Sequence, residues 1–319
     1  MGVWDYVLYI VILVNIYVIM AVSLNLILGF TGLFSVAHAA FMAIGAYTTT
    51  LLMMQQRWNF FLTIPVAVLI AGMVALLLAI PSLRVHGDYY VISSFGFQII
   101  IVSILLNWVD LTHGPYGLFG IPRPTLFGFA FTSNVAYLAL ATVMMLVCVV
   151  ISWRIAASPA GQVLRAVRED EVAAAAVGKD VARVKVTIFV VGSALAAVGG
   201  SLYATTITFI DPFSFSAHES IFMLATVAIG GSGNIAGSMV GALILIALPE
   251  VLKYLQVPAA IAGPVRQMLY GVLLIVFMRV RPLGLVPERS STRAPARPHP
   301  AVPSAALGAS ALASGEKDG

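Results

Sequence analysis

Residues 158–185 read SPAGQVLRAVREDEVAAAAVGKDVARVK and carry five of the chain's 17 Lys and Arg and four of its 13 Asp and Glu. The whole chain is 61% hydrophobic and only 9% charged, where a soluble domain is about one quarter charged. The segment therefore reads as an aqueous island between membrane spans. Ser158-Pro159 is a helix start, with Ser as N-cap and Pro at the first helical position. On a helix begun there, Ala160, Val163, Leu164, Val167 and Ala174 share one face, with Gln162, Arg165, Arg168 and Glu169 opposite. Gly178 supplies a stop. The expectation is a single capped amphipathic helix over residues 160–178. Its acids (Glu169, Asp170, Glu171, Asp180) nearly balance its bases, which suits a protein groove better than an anionic lipid surface.

Outward from this island the chain reads as an all-α polytopic membrane protein, with a mean hydropathy of +1.01. A spanning helix needs roughly 20 apolar residues. Candidates are 6–28, 33–54, 61–80, 88–109, 134–153, 186–207, 217–230, 235–256 and 265–281. The segments 33–54 and 217–230 are irregular or short enough to be broken or re-entrant, which gives eight to ten spans.

Lys and Arg in short loops set orientation. Arg154, Arg165, Arg168, Lys179, Arg183 and Lys185 put residues 154–185 in the cytoplasm. Counting outward places Arg84 and the C-terminus inside and the 110–133 loop outside, while the side of the N-terminus stays open. The N-terminus, MGVWDYVLYI, has no Lys or Arg before its apolar run and no clear cleavage site, so a cleaved signal peptide is not expected. The one cysteine, Cys148, forms no disulfide framework and reads as a small apolar residue. A transmembrane domain over 1–287 is thus followed by a Pro-, Ala- and Ser-rich tail, 288–319, expected to be disordered and cytoplasmic.

An internal echo runs through the chain. LGFTGLFSVAHAAFMAIGA (28–46) and IGGSGNIAGSMVGA (229–242) both read Gly-x-(Thr or Ser)-Gly, then small residues, then Gly-Ala. Such paired interruptions mark a substrate path at a repeat interface, or simply close packing of helices. The path candidates are Gly29, Gly32, Ser35, His38, Gly230, Gly233 and Asn234. His38 has the alternative of a buried ring bonded to a neighbour, and Asn15, Asn25 and Gln98 read as ties between helices.

REDEVAAAAVGKDVARVKVTIFVVGSALAAVGGSLYA (168–204) resembles the cytoplasmic loop and following helix of ABC-importer permeases, whose pattern is Glu-Ala-Ala, three residues, Gly. Here Glu171 is followed by Val172, Ala173-Ala174 and finally Gly178, one residue longer. That variant, with residues 23–47, residues 225–242 and RPLGL at 281–285, resembles the LivM-like branched-chain amino acid permease subfamily over roughly 6–287. The resemblance implies a bacterial inner-membrane import subunit with no catalytic residues. It further implies a sister permease (a paralogue), two cytoplasmic ABC ATPases that carry ATP and magnesium, and an extracytoplasmic solute-binding protein. The substrate it implies is leucine, isoleucine or valine, or a relative such as urea or an aromatic acid. On this reading Val163, Leu164 and Val167 anchor the loop helix in an ATPase groove, and Arg168, Glu169, Asp170 and Glu171 make polar coupling contacts, with Gly178 ending the motif.

The residues agree that the engine lies elsewhere, since the only Gly-Lys pair, Gly178-Lys179, continues with Asp180 and forms no phosphate loop. No metal, cofactor or nucleic-acid motif is found. The Gly-x-Ser-Gly of an intramembrane serine protease occurs at 230–233, but the only later histidine is His299 in the tail, so the needed base is missing. The remaining rival is an ion-coupled carrier or passive channel, for which Glu219 and Glu250, each read as near a span end, are the only carboxylates on offer.

Overall fold

The computed structural model describes residues 3–82, 88–126, 129–254, 268–272, 275–276, 279–281 and 284–288. It is a helical bundle. Helix α1 (Val3–Thr31) is followed by α2 (His38–Gln55), α3 (Phe60–Ser82) and α4 (Asp88–Asn107). The connection that follows folds as α5 (Val109–Thr112), a 3-10 turn (Gly114–Tyr116) and three short strands, β1 (Leu118–Phe119), β2 (Thr125–Leu126) and β3 (Phe129–Ala130). Then come α6 (Asn134–Ala157), α7 (Pro159–Glu169), α8 (Glu171–Ala176), α9 (Val181–Ile207), β4 (Phe209–Ile210), α10 (Ala217–Gly230) and α11 (Ile235–Tyr254). Residues 268–272, 275–276 and 279–280 are helical within the last expected span. Among the described residues, five helices are long and apolar enough to cross a bilayer: α1, α3, α4, α6 and α9.

The two ends of the bundle follow from its contacts. Arg168 of α7 donates to the Gly29 carbonyl near the end of α1. Asp5, at the start of α1, accepts from Asn134 at the start of α6. The start of α1 therefore lies at the end of the bundle opposite α7. Helices α1 and α9 run antiparallel, with Gly192 against Ile27 and Gly199 against Met20. Helix α2 lies on α9 at small residues: a side chain on Gly45 would meet the Ala197 backbone, and one on Gly200 the Met42 carbonyl. In lipid, where apolar burial gives helices no mutual attraction, such close approach is what holds them.

Two segments are broken inside the bundle. From the α7 end, residues 32–37 run inward as irregular backbone, and α2 starts only at His38, level with Ser23 of α1. From the opposite end, β4 pairs with β1 (Leu118 with Ile210, Phe119 with Phe209). A 3-10 turn (Pro212–Phe215) capped by Asp211 then leads into α10. The two helix starts meet. Ala39 N donates to Ser220 Oγ at 2.9 Å, and Ala40 N to Gln98 Oε1 at 2.8 Å. Gln98, fully buried, also receives Ser220 Oγ at 3.3 Å and donates to the Phe215 carbonyl at 2.6 Å. Irregular backbone survives at membrane depth only where protein satisfies its polar groups, and Gln98 does this for both breaks.

The expected loop helix is two helices. Ser158 caps α7, accepting from Gly161 N, but at Asp170 the backbone turns extended (φ −156°, ψ 107°). Asp170 then caps α8 by accepting from Ala173 N at 2.9 Å. A short carboxylate that satisfies a helix-start amide competes with helix continuation, so the single lever over 160–178 is corrected to two segments with a joint. Helix α8 ends as expected at Gly178, with φ +80°, where Lys179 N bonds to Ala174 O and Gly178 N to Ala175 O. This paired closure needs a left-handed residue at that position, which glycine adopts without strain.

Candidate functional site

At the α7 end four chain segments converge. Asn25, fully buried on α1, accepts from Gly233 N at 2.8 Å and donates to the Asn234 carbonyl at 2.9 Å. The two Gly-rich turns of the echo thus touch: a side chain on Gly29 would strike Asn25 and Gly233 N. The strap 284–288 lies across the end of α10, with Leu285 N bonded to Ile229 O at 2.9 Å and Val286 N to Gly230 O at 3.0 Å. It delivers Glu288 to α7. There Arg165 Nε meets Glu288 Oε1 at 2.6 Å, and Arg168 Nη2 meets Oε2 at 2.7 Å. Arg168 also holds the Gly29 carbonyl, and Arg165 stacks over the Phe30 ring at 5.0 Å.

Arg168 therefore joins α7, the end of α1 and the strap on α10 in one fork. Glu288, which composition assigns to the tail, is a partner in this fork and closes the compact body, Met1–Glu288. The tail beyond it, 289–319, lies outside the described residues. Neither Glu288 nor Arg165 was among the expected site residues. The RPLGL stretch just before Glu288 was the available signal, because a strap held by backbone bonds delivers whatever residue follows it.

The expected coupling residues separate into three groups. Leu164 and Val167, 3% and 0% exposed, are buried in this chain's own core, and Val163 is half buried. Leu164 and Val167 anchor α7 to its own bundle, so the expected role of these two as partner-groove anchors is corrected. An apolar stripe has the same period whichever surface covers it. Arg168 is used internally, and Glu171 pairs with the buried Lys185 of α9. Glu169, Asp170 and Gly178 are exposed, and so are Val172 at 80% and Val177 at 75%. The outward apolar surface of the loop therefore lies on α8.

The expected path residues lie toward the α7 end of the bundle. Gly29, Gly230 and Gly233 are packed at the converging turns, and Asn234 donates to the Pro287 carbonyl at 3.1 Å. Gly32 approaches the Arg168 side chain, and Ser35 is buried in the irregular run. His38 is 1% exposed, with Nε2 2.9 Å from Ser23 Oγ. Its ring is enclosed by this chain's own helices and does not line an open surface. Asn15 donates to Thr142 of α6 at 2.8 Å, a tie between helices as expected. Glu219, expected near a span end, stands half buried in the first turn of α10, and that turn lies beside the middle of α1, where Tyr17 donates to it at 2.5 Å. The side chains of Glu250 and Lys253, and Arg84 altogether, lie outside the described residues. Among the described residues no group of three or more His, Cys, Asp or Glu is placed to hold a metal ion.

The family described as "Branched-chain amino acid transport system / permease component" matches residues 6–278. The chain belongs to this family. It is 33% identical over 298 residues to the Escherichia coli K12 high-affinity branched-chain amino acid transport system permease protein LivM, covering 86% of this chain and 68% of that one. A probable LivM of Methanocaldococcus jannaschii is 27% identical over 239 residues, covering 72% of this chain and 68% of that one. The E. coli K12 permease protein LivH is 27% identical over 292 residues, covering 85% of this chain and 91% of that one. No solved structure matches. This chain is accordingly an all-α, multi-pass membrane permease component, and the fork at Arg168 ties its charged loop to both Gly-rich turns.

Proposed function

We propose that this permease is one membrane subunit of an ATP-driven, binding-protein-dependent importer of branched-chain amino acids in a bacterial inner membrane. It pairs with a paralogous permease and takes its power from two cytoplasmic ATPases, which carry the ATP and magnesium. Matches to both LivM- and LivH-type proteins support the pairing. The observation that carries the reading is the division of labour in the charged loop: α7 is fixed to the bundle, while α8 presents Val172 and Val177 to the outside.

An aqueous loop that exposes two valines beside Glu169 fits docking into an ATPase groove. Movement of α8 pulls on α7 across the joint at Asp170. Arg168 passes it to α1 through Gly29 and, through Glu288 and the strap, to the end of α10. With α7 on the cytoplasmic side by its charge, Glu288 is on that side too, and the start of α1 is outside.

Purification from mild detergent through a tag on this chain tests the assembly. A second permease and Walker-motif ATPases in the eluate support it. A chain recovered alone, transporting without nucleotide, would establish the carrier instead.

A further inference from the structure

Two ionisable side chains stand where hydrocarbon does not tolerate them. Tyr17 is the midpoint of α1, and its hydroxyl donates to Glu219 Oε1 at 2.5 Å across 202 residues of chain. A helix of 29 residues is about 43 Å long, more than the roughly 30 Å hydrocarbon core, so its midpoint lies near the bilayer midplane. Glu219 sits in the first turn of α10 and is half buried, and the neighbouring His218 is exposed.

Elsewhere the exposed faces of the spans are apolar, as lipid requires: Leu69, Met73 and Leu77 on α3, and Val143, Leu146 and Val150 on α6. An ionisable pair at mid-depth faces the bundle interior or a water-filled cavity, and the exposed His218 beside Glu219 opens this one outward. At the start of α2 the Ala39 and Ala40 amides are already taken by Ser220 and Gln98.

We propose that the α10 face bearing His218 and Glu219 borders the translocation path, and that the Glu219 carboxylate, steered by Tyr17, is the transient contact for the ammonium group of a passing amino acid. The proposal rests on the importer reading and adds to it the residue that meets the substrate. A carboxylate is the complement of a compact ammonium, and the bond is charge-assisted. The hydrogen bond from Tyr17 draws charge from that carboxylate and keeps the contact weak, which a site of passage needs in order to release its solute.

The test uses the purified complex in proteoliposomes with its binding protein, ATP inside and radiolabelled leucine outside. E219Q keeps an oxygen for the Tyr17 hydroxyl and removes the charge. It is expected to lower leucine uptake about tenfold or more, the usual worth of a hydrogen bond to a charged group. Binding-protein-stimulated ATP hydrolysis, which a merely structural defect would also lower, should stay within about twofold of wild type on the same scale.

His218→Cys supplies the second measurement. Cys148 is the sole cysteine and is buried, so the variant adds one exposed thiol. That thiol should react with a membrane-impermeant cationic methanethiosulfonate. Wild-type leucine uptake by E219Q, or an unreactive thiol in the His218→Cys variant, would overturn the proposal. Failure of the importer reading is separately visible, because wild-type proteoliposomes would then take up no leucine before any variant is compared.

Discussion

Gly233 and Asn25, 208 residues apart, are bonded through the Gly233 amide and the Asn25 Oδ1 at 2.8 Å, and the same side chain holds the next carbonyl, Asn234 O, at 2.9 Å. One buried amide thereby stitches the two Gly-rich turns together at the end of the bundle that carries the charged loop.

Asn25→Leu keeps the branched shape, with somewhat larger methyl ends, and leaves Gly233 N and Asn234 O without this partner. Each unsatisfied buried group costs about 1–3 kcal/mol. Heating the detergent-solubilised protein with an unfolding-sensitive dye should show a midpoint several degrees lower. An unchanged midpoint would mean that the turns are held by backbone packing alone.

Gly233→Ala should be worse than its size suggests. The backbone there has φ +80°, and the added methyl would lie 2.6 Å from Glu288 Oε2 and 2.8 Å from Arg168 Nη1. The fork would have to open. We expect normal membrane insertion with uptake reduced by an order of magnitude or more, in keeping with a lost charge-assisted network. Wild-type flux would show that the fork is dispensable.

Arg168→Glu puts two carboxylates together and Glu288→Arg three cations, with Arg165 the third; made together they restore the attraction between positions 168 and 288 while Arg165 stays opposed. Each reversal should uncouple ATP hydrolysis from uptake, and the double variant should recover part of it. The non-additivity of the cycle measures the coupling. If the double variant is as poor as the sum of the singles, Arg168 acts on something other than Glu288.

Leu164→Ala and Val172→Glu separate the inward from the outward side of the loop. Leu164 is core, so its truncation should cost about 2–5 kcal/mol of stability. Val172 is 80% exposed, so its change should leave thermal stability alone and abolish co-purification of the ATPase. The reverse pattern would place the docking surface on α7.

Much of this was legible in the sequence, because single local causes act there. Runs of about 20 apolar residues gave the spans, Ser158-Pro159 gave the start of α7, and Gly178 gave the left-handed stop of α8. The echo pointed to two Gly-rich turns, and these do meet at Asn25.

What the sequence hid depends on distant partners. The joint at Asp170 carries no Gly or Pro, only a carboxylate free to cap the next turn. Whether Leu164 and Val167 face this chain or another is not a property of their spacing. Glu219 looked terminal because α10 is short, but α10 begins deep in the bundle beside the midpoint of α1. Glu288 followed a run of loop residues, and only the strap's bonds to Ile229 and Gly230 make it part of the site.

The most direct test of the importer account is leucine uptake by the purified complex in proteoliposomes, with and without internal ATP and with and without a proton gradient. The account predicts uptake that requires ATP and the binding protein and ignores the gradient. Uptake driven by the gradient in the absence of ATP would contradict it.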